Sequence, residues 1–337
     1  MAARLGLRLR EERLPVRQLV ELARLAEGCG YESIWVPEGS GKDAFSQLTA
    51  YALGTRAIRL ATGIVTIFPR SPSILAMTAA TLDHLSDQRA ILGLGLGHKE
   101  LLETEHGVVF DRPVRRMREY VTLIRAILHG QALPPTTVVP VRRFHLDFIP
   151  ERAELPIYVA ALGPQMCRLA GEVADGVLLN WATPEYAAEA VAEVRAGAER
   201  AGRDGQAVDV ACYIRAAAGE DWAVVAESLA LETARYVALD FYRRMFDRSG
   251  FARETAAVVA ALPKGIGAAA AQVSERMLEA IALFGDGEAW RKRLEQYRAL
   301  GVGLPVIAPV PVGADAFHSW AATIRTFAPE GSLSPAP

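Results

Sequence analysis

Residues 56–106 read RAIRLATGIVTIFPRSPSILAMTAATLDHLSDQRAILGLGLGHKELLETEH. Two apolar runs, 58–65 and 90–96, each end in a glycine-bearing turn, and an amphipathic segment over 73–86 separates them. The pattern is strand, helix, strand. Parallel strands need a crossover of about a dozen residues or more, usually a helix. The unit therefore predicts a parallel sheet whose strands exit at Gly63 and at Gly93-Leu94-Gly95-Leu96-Gly97. Ligands of α/β folds bind at the carboxyl ends of the strands. Two glycine-bearing exits on one edge point to a ligand resting against bare backbone.

The alternation continues on both sides of this unit. Residues 5–9 are a short strand candidate, 16–29 carry Leu19, Val20, Leu22, Ala23 and Ala26 at helical spacing, and 33–36 read as a buried strand ending at Pro37-Glu38. Helices over 44–53 and 73–85 lead to strands over 58–64 and 90–96, and a further helix covers 114–128. Residues 131–155, punctuated by Pro134, Pro135, Pro140 and Pro150, are too irregular for another repeat and are expected to form an insertion loop. The repeat resumes with a strand over 157–161, a turn at Gly163-Pro164, a helix over 165–172, a strand over 176–179, a helix over 184–201 and a strand over 208–214. Region 221–300 is helical and alanine-rich, with breaks at Gly265-Ile266-Gly267 and Gly285-Asp286-Gly287. A strand over 304–308 and a helix over 315–327 come last, before a tail at 331–337.

Eight strands alternating with helices predict a (β/α)8 TIM barrel over residues 1–330, with insertions after strands four and seven. An open doubly wound sheet is the competing architecture. The strand count, and the lack of a composition shift that would mark a domain boundary, favour the barrel.

The composition, 51% hydrophobic and 23% charged over 337 residues, is that of a chain with a sizeable core. With 37 basic against 39 acidic residues there is no global field to attract nucleic acid or an anionic membrane, and neither partner is expected. Cys29, Cys167 and Cys212 are widely separated and lack CxxC spacing, which argues against a disulfide framework or structural zinc and fits a reducing cytosol. The first residues lack an uninterrupted apolar core, and no run approaches the roughly 20 apolar residues needed to span a bilayer. A soluble, cytoplasmic protein is expected.

A dinucleotide fingerprint starting at Gly93 or Gly95 would need glycine at 98 or 100, and those positions hold His98 and Glu100. The glycine run then has two readings of equal weight, close approach of a ring or phosphate and tight packing inside the barrel. Gly163-Pro164-Gln165 opens a helix directly from a strand. Proline in the first turn costs no hydrogen bond and leaves backbone N–H groups free to face an anion. The alternative is an ordinary βα turn. Glu38 exits strand two toward the mouth as a candidate proton carrier, whereas Asp43 is more simply an N-cap. His98 is a candidate ring-facing or proton-transferring group. His98, Glu103 and His106 lack HExxH spacing, so no metal is expected, and His84 is read as capping or packing on its helix. No GxSxG elbow or Walker loop is present, and Lys42 lacks the glycine-rich loop a phosphate-binding lysine needs.

Together the segments 31–38 (YESIWVPE), 41–45 (GKDAF), 58–97, 105–128 (EHGVVFDRPVRRMREYVTLIRAIL), 156–181 (PIYVAALGPQMCRLAGEVADGVLLNW) and 301–309 (GVGLPVIAP) resemble the luciferase-like monooxygenase superfamily. The likeness is greater to its branch of F420-dependent oxidoreductases related to methylenetetrahydromethanopterin reductase. The resemblance implies a (β/α)8 barrel holding deazaflavin F420, or alternatively FMN, at its C-terminal mouth. It implies a non-prolyl cis peptide at Gly63-Ile64, with Val65 following, behind the ring. The phosphate-side contacts carry over to Gly97 and His98 and to Ala161, Leu162, Gly163, Pro164 and Gln165, and the proton-handling position to Glu38. Some relatives have a histidine immediately after that glutamate, where this chain has Gly39. The second carboxylate that the family places after strand four falls in the region of His98, Lys99 and Glu100.

The expected activity is hydride transfer between F420 and an electrophilic small molecule, an imine, enone or carbonyl. An FMNH2-dependent monooxygenase using O2 is the alternative, and a non-catalytic flavin-binding barrel the second. The substrate pocket is expected to be built from the two insertions. The helices of 221–300 are read as either a homodimer interface or a lid, and a homodimer is expected.

Overall fold

The computed structural model describes residues 4–219, 221–285 and 287–329. Its strands are short apolar segments: β1 (Gly6–Arg8), β2 (Ser33–Val36), β3 (Arg59–Thr62), β4 (Ala90–Gly95), β5 (Ile157–Ala160), β6 (Gly176–Asn180), β7 (Asp209–Ala216) and β8 (Leu304–Pro309). Each pairs in parallel with the next in chain order, and β8 pairs with both β7 and β1. This closure makes a TIM-like barrel and excludes the open doubly wound sheet.

The helices are α1 (Val16–Gly28), α2 (Ala44–Gly54), α3 (Pro72–Leu85), α4 (Lys99–Glu105), α5 (Pro113–Leu128), α6 (Pro164–Val173), α7 (Pro184–Arg200), α8 (Trp222–Val237), α9 (Asp240–Phe246), α10 (Ala252–Ala261), α11 (Ile266–Ala270), α12 (Glu275–Ile281), α13 (Gly287–Ala299) and α14 (Ala316–Thr326). Their starts follow local chemistry. Asp43, Ser71, Thr183 and Asp315 accept from backbone N–H groups of the first turns of α2, α3, α7 and α14. Pro72, Pro113, Pro164 and Pro184 occupy first turns where a missing N–H is harmless. Asp43 is thus the N-cap expected from its place.

Two cores result from strand alternation. Inside the barrel Trp35, Ala61, Ile91, Tyr158, Leu178, Ala211, Tyr213, Val306 and Ala308 fill the lumen. The opposite strand faces pack on the helices in a second, larger core.

No regular element occurs between α5 and β5, in agreement with the expected loop. It is held to the barrel wall by Glu119, whose carboxylate accepts from the N–H groups of Thr137, Val138 and Val139 at 2.8–2.9 Å. These bonds outweigh the cost of burial and bring the Glu119 pKa down to about 2. The second insertion, α8–α12, follows β7, and its segment Ala282–Leu283 extends the sheet beside β7. The expected break at Gly265 is present, with φ of 102°, while Asp286 and the tail at 331–337 lie outside the described residues. Among the described residues no helix is long and apolar enough to cross a membrane. Helix α4, in HKELLETEH, is an element the sequence reading lacks.

Candidate active site at the barrel mouth

The carboxyl end of β3 departs from a regular strand. The peptide between Gly63 and Ile64 is cis, as the resemblance implied. Pairing with β4 runs from Ala61 opposite Ile91 to Val65 opposite Leu94, so β3 carries one residue more than its partner across the bulge. Side chains replace the interrupted ladder. The Thr62 hydroxyl accepts from Gly93 N–H and donates to Gly93 C=O, both at 2.8 Å. The Glu38 N–H donates to Ile64 C=O at 3.0 Å, and the Tyr213 hydroxyl donates to Gly63 C=O at 2.7 Å. A Cβ at residue 63 would lie 2.0 Å from that tyrosine oxygen, so glycine is required there.

The same geometry decides between the two readings of the glycine run. A Cβ on Gly93 would stand 2.0 Å from Thr62 C=O, and one on Gly95 2.4 Å from Ile64 Cδ1. These two glycines accommodate the bulge and are not faced by a ligand, which corrects the expectation of bare backbone along the whole run. Gly97 alone is exposed, with φ of 69°.

Glu38 sits beside the bulge with both carboxylate oxygens engaged, each accepting from Arg70 at 2.6 Å. Tyr120 fixes Arg70 in turn by donating to its carbonyl at 2.7 Å. Next to Glu38, the space that a side chain at Gly39 would fill is taken by the Arg10 guanidinium, 2.8 Å from the position of a Cβ. Lys42 is structural: its ammonium donates to the carbonyls of Glu11 and Glu12, tying the β1 and β2 exits together.

His98 follows the β4 exit and is half-buried, with its ring centroid 5.9 Å from that of Tyr242 on α9. Burial lowers its pKa below the ordinary 6.5, so the imidazole is neutral at pH 7. Tyr242 accepts a hydrogen bond from Asn180 Nδ2 at 2.7 Å, and Asn180 Oδ1 accepts from Arg215 Nη1 at 2.8 Å. The second insertion therefore roofs the mouth.

At the β5 exit, Ala161, Leu162 and Gly163 lead into α6 through Pro164 and Gln165. The N–H groups of Leu162, Gly163 and Gln165 have no acceptor among the described residues, and α6 has no side-chain cap. Tyr186 donates to Leu162 C=O, and Phe241 of the insertion stands over Gly163. Uncapped amides at the positive end of a helix suit a phosphate.

His98, Glu103 and His106 form no metal-holding cluster, and no other such group occurs among the described residues. His84 is exposed in the last turn of α3, 3.4 Å from Glu151, so of the two readings packing is excluded. The three cysteines are buried and unpaired. The sequence reading passed over Thr62, Arg70, Asn180, Tyr213 and Arg215. A polar residue at the carboxyl end of a barrel strand was the available signal for Asn180 and Arg215. Thr62, which ends β3, carried the same signal, whereas Tyr213 lies mid-strand and had none, its partner being set by register.

A barrel with this bulged third strand and an uncapped α6 defines the chain's class: it belongs to the luciferase-like monooxygenase family, whose profile matches residues 2–303. The chain is 31% identical over 304 residues to the 5,10-methylenetetrahydromethanopterin reductase of Methanolobus tindarius, covering 89% of this chain and 92% of the relative. It superposes on the coenzyme F420-dependent tetrahydromethanopterin reductase of Methanopyrus kandleri with a TM-score of 0.82 at 26% identity, covering 97% and 98% of the two chains. An F420-dependent secondary alcohol dehydrogenase, solved with an F420-acetone adduct, has the same fold, with a TM-score of 0.80 at 19% identity and coverage of 97% and 98%.

Proposed function

We propose that the protein is an F420-dependent oxidoreductase that moves a hydride between F420 and an electrophilic organic carbon, an imine, enone or carbonyl. The observation that carries this reading is the pairing of a buttressed bulge at Gly63–Val65 with unpartnered amides at Leu162, Gly163 and Gln165. Together they suit a flat ring with a phosphate-bearing tail. When bound, F420 supplies the hydride at C5 of its ring.

The protein's own groups bind and orient. Gly63, Ile64 and Val65 back the ring, Gly97 and His98 border the ribityl-phosphate side, and Ala161, Leu162, Gly163, Pro164 and Gln165 receive the phosphate. Neutral His98 offers a lone pair and an N–H to the substrate, and its ring nitrogens have no hydrogen-bond partner among the described residues. Glu38, held by Arg70, is the candidate proton-handling carboxylate beside the bulge. The same proposal takes the protein to be a cytoplasmic homodimer, which a monomer mass in light scattering at micromolar concentration would contradict.

Fluorescence titration tests the reading directly. Micromolar affinity for F420 and much weaker affinity for FMN are expected. Tight binding of FMN with none of F420 would overturn it.

A further inference from the structure

Two arginines on the far wall of the mouth have no role in the cofactor reading. Arg8 ends β1 and Arg215 lies near the end of β7, and both face into the barrel, Arg8 in register with Trp35 and Arg215 with Ala308. Strand β8 lies between β7 and β1, diametrically across from the β4 exit that carries Gly97.

Arg215 is 1% exposed, yet its charge is incompletely met. Nη1 donates to Asn180, while Nε and Nη2 have no hydrogen-bond partner. The nearby carboxylate of Glu232 stands 3.9 Å from Nε, beyond hydrogen-bond reach. Nε and Nη2 share one edge of the guanidinium, so the two unmet donors form a fork that matches the two oxygens of a carboxylate. The plane is held by stacking, 3.9 Å from the Trp181 ring centroid and 5.1 Å from that of Tyr236. Trp181 itself adopts φ of 61°, a conformation uncommon outside glycine and most often kept at functional sites. The Arg8 side chain is half-buried and has no ion pair or hydrogen bond among the described residues. Buried donors are rarely left unmet, and an unmet fork at the mouth of a site calls for a ligand.

We propose that Arg8 and Arg215 bind a carboxylate of the substrate, so that the substrates are organic acids whose electrophilic carbon is presented toward the bulge. The roof must lift to admit them, because Arg215 is buried beneath Tyr236. The inference rests on the cofactor reading only for where the hydride donor lies.

The test is calorimetric titration of the full chain, with and without F420, using benzoate and its neutral isostere benzamide as probes. Benzoate is expected to bind at least about tenfold more tightly than benzamide, as charge-assisted bonds to a carboxylate imply. Arg215→Met and Arg8→Met should each weaken benzoate by about tenfold or more and leave benzamide and F420 affinity within about twofold. Glu232→Gln, which removes the competing carboxylate, should tighten benzoate. Should Arg215→Met fail to fold, Arg215→Lys, which keeps the charge but loses the fork, should still weaken benzoate, and Arg8→Met carries the rest. Equal binding of benzoate and benzamide would overturn the inference, as would an Arg215 variant that loses F420 and keeps benzoate. A chain that binds benzoate but not F420 would sink the cofactor reading and leave this one standing.

Discussion

The Tyr213 hydroxyl reaches from β7 to the Gly63 carbonyl on the opposite side of the barrel and donates to it at 2.7 Å. One bond thus ties the bulge of the third strand to the seventh. Tyr213→Phe leaves a buried carbonyl unpaired and should cost about 1–3 kcal/mol of stability in urea unfolding. F420 affinity should fall with it. Gly63→Ala places a methyl group against the same oxygen, so the double variant should be less damaged than the two single losses predict.

The Glu38–Arg70 pair is largely buried, with side-chain exposures of 13% and 23%. Arg70→Met leaves the carboxylate unpaired beside the bulge and should cost about 1–3 kcal/mol, with kcat falling at least about tenfold. Combining it with Glu38→Gln should recover stability relative to Arg70→Met. A strictly additive pair would show that the two side chains act independently.

Glu119 makes the first insertion sensitive to acid. Its folded pKa of about 2 lies below the ordinary 4.5, so its contribution is complete above pH 4.5 and is lost as pH falls toward 2. Glu119→Gln should therefore destabilise the protein by on the order of 2 kcal/mol at pH 7. The difference from the parent chain should shrink at pH 3. Denaturation curves at the two pH values measure this.

His98 is neutral at pH 7 because burial lowers its pKa. If it takes a proton during turnover, kcat should fall on acidification only below pH 6.5, and His98→Gln should abolish that limb while cutting kcat about 100-fold. F420 affinity of the variant should change only a few-fold. A limb that persists in His98→Gln would assign the titration to another group.

The barrel was legible because its strands and helices are written in local periodicity, and most expected elements fall within a residue or two of the observed ones. The third strand was legible only in part. Periodicity reads 58–64 as one continuous apolar strand; the cis peptide at Gly63-Ile64 came from the family resemblance, and the pairing with β4 shows the extra residue. Gly93 and Gly95 looked like ligand-facing backbone because the groups that fill their space, the Thr62 carbonyl and the Ile64 side chain, come from the neighbouring strand. Arg70 and Arg215 find their partners about 30 residues away in sequence, through contacts that no motif encodes. The turn at Gly163-Pro164 could be read locally because its uncapped amides are a property of the residues themselves.

The guanidinium of Arg10 occupies the space beside Gly39, next to Glu38, and pairs with Glu12. A histidine in place of Gly39 would give that corner a charge that switches near neutral pH. Arginine keeps its proton at every physiological pH. Arg10 therefore places beside Glu38 a charge that does not switch near neutral pH, where a histidine's would.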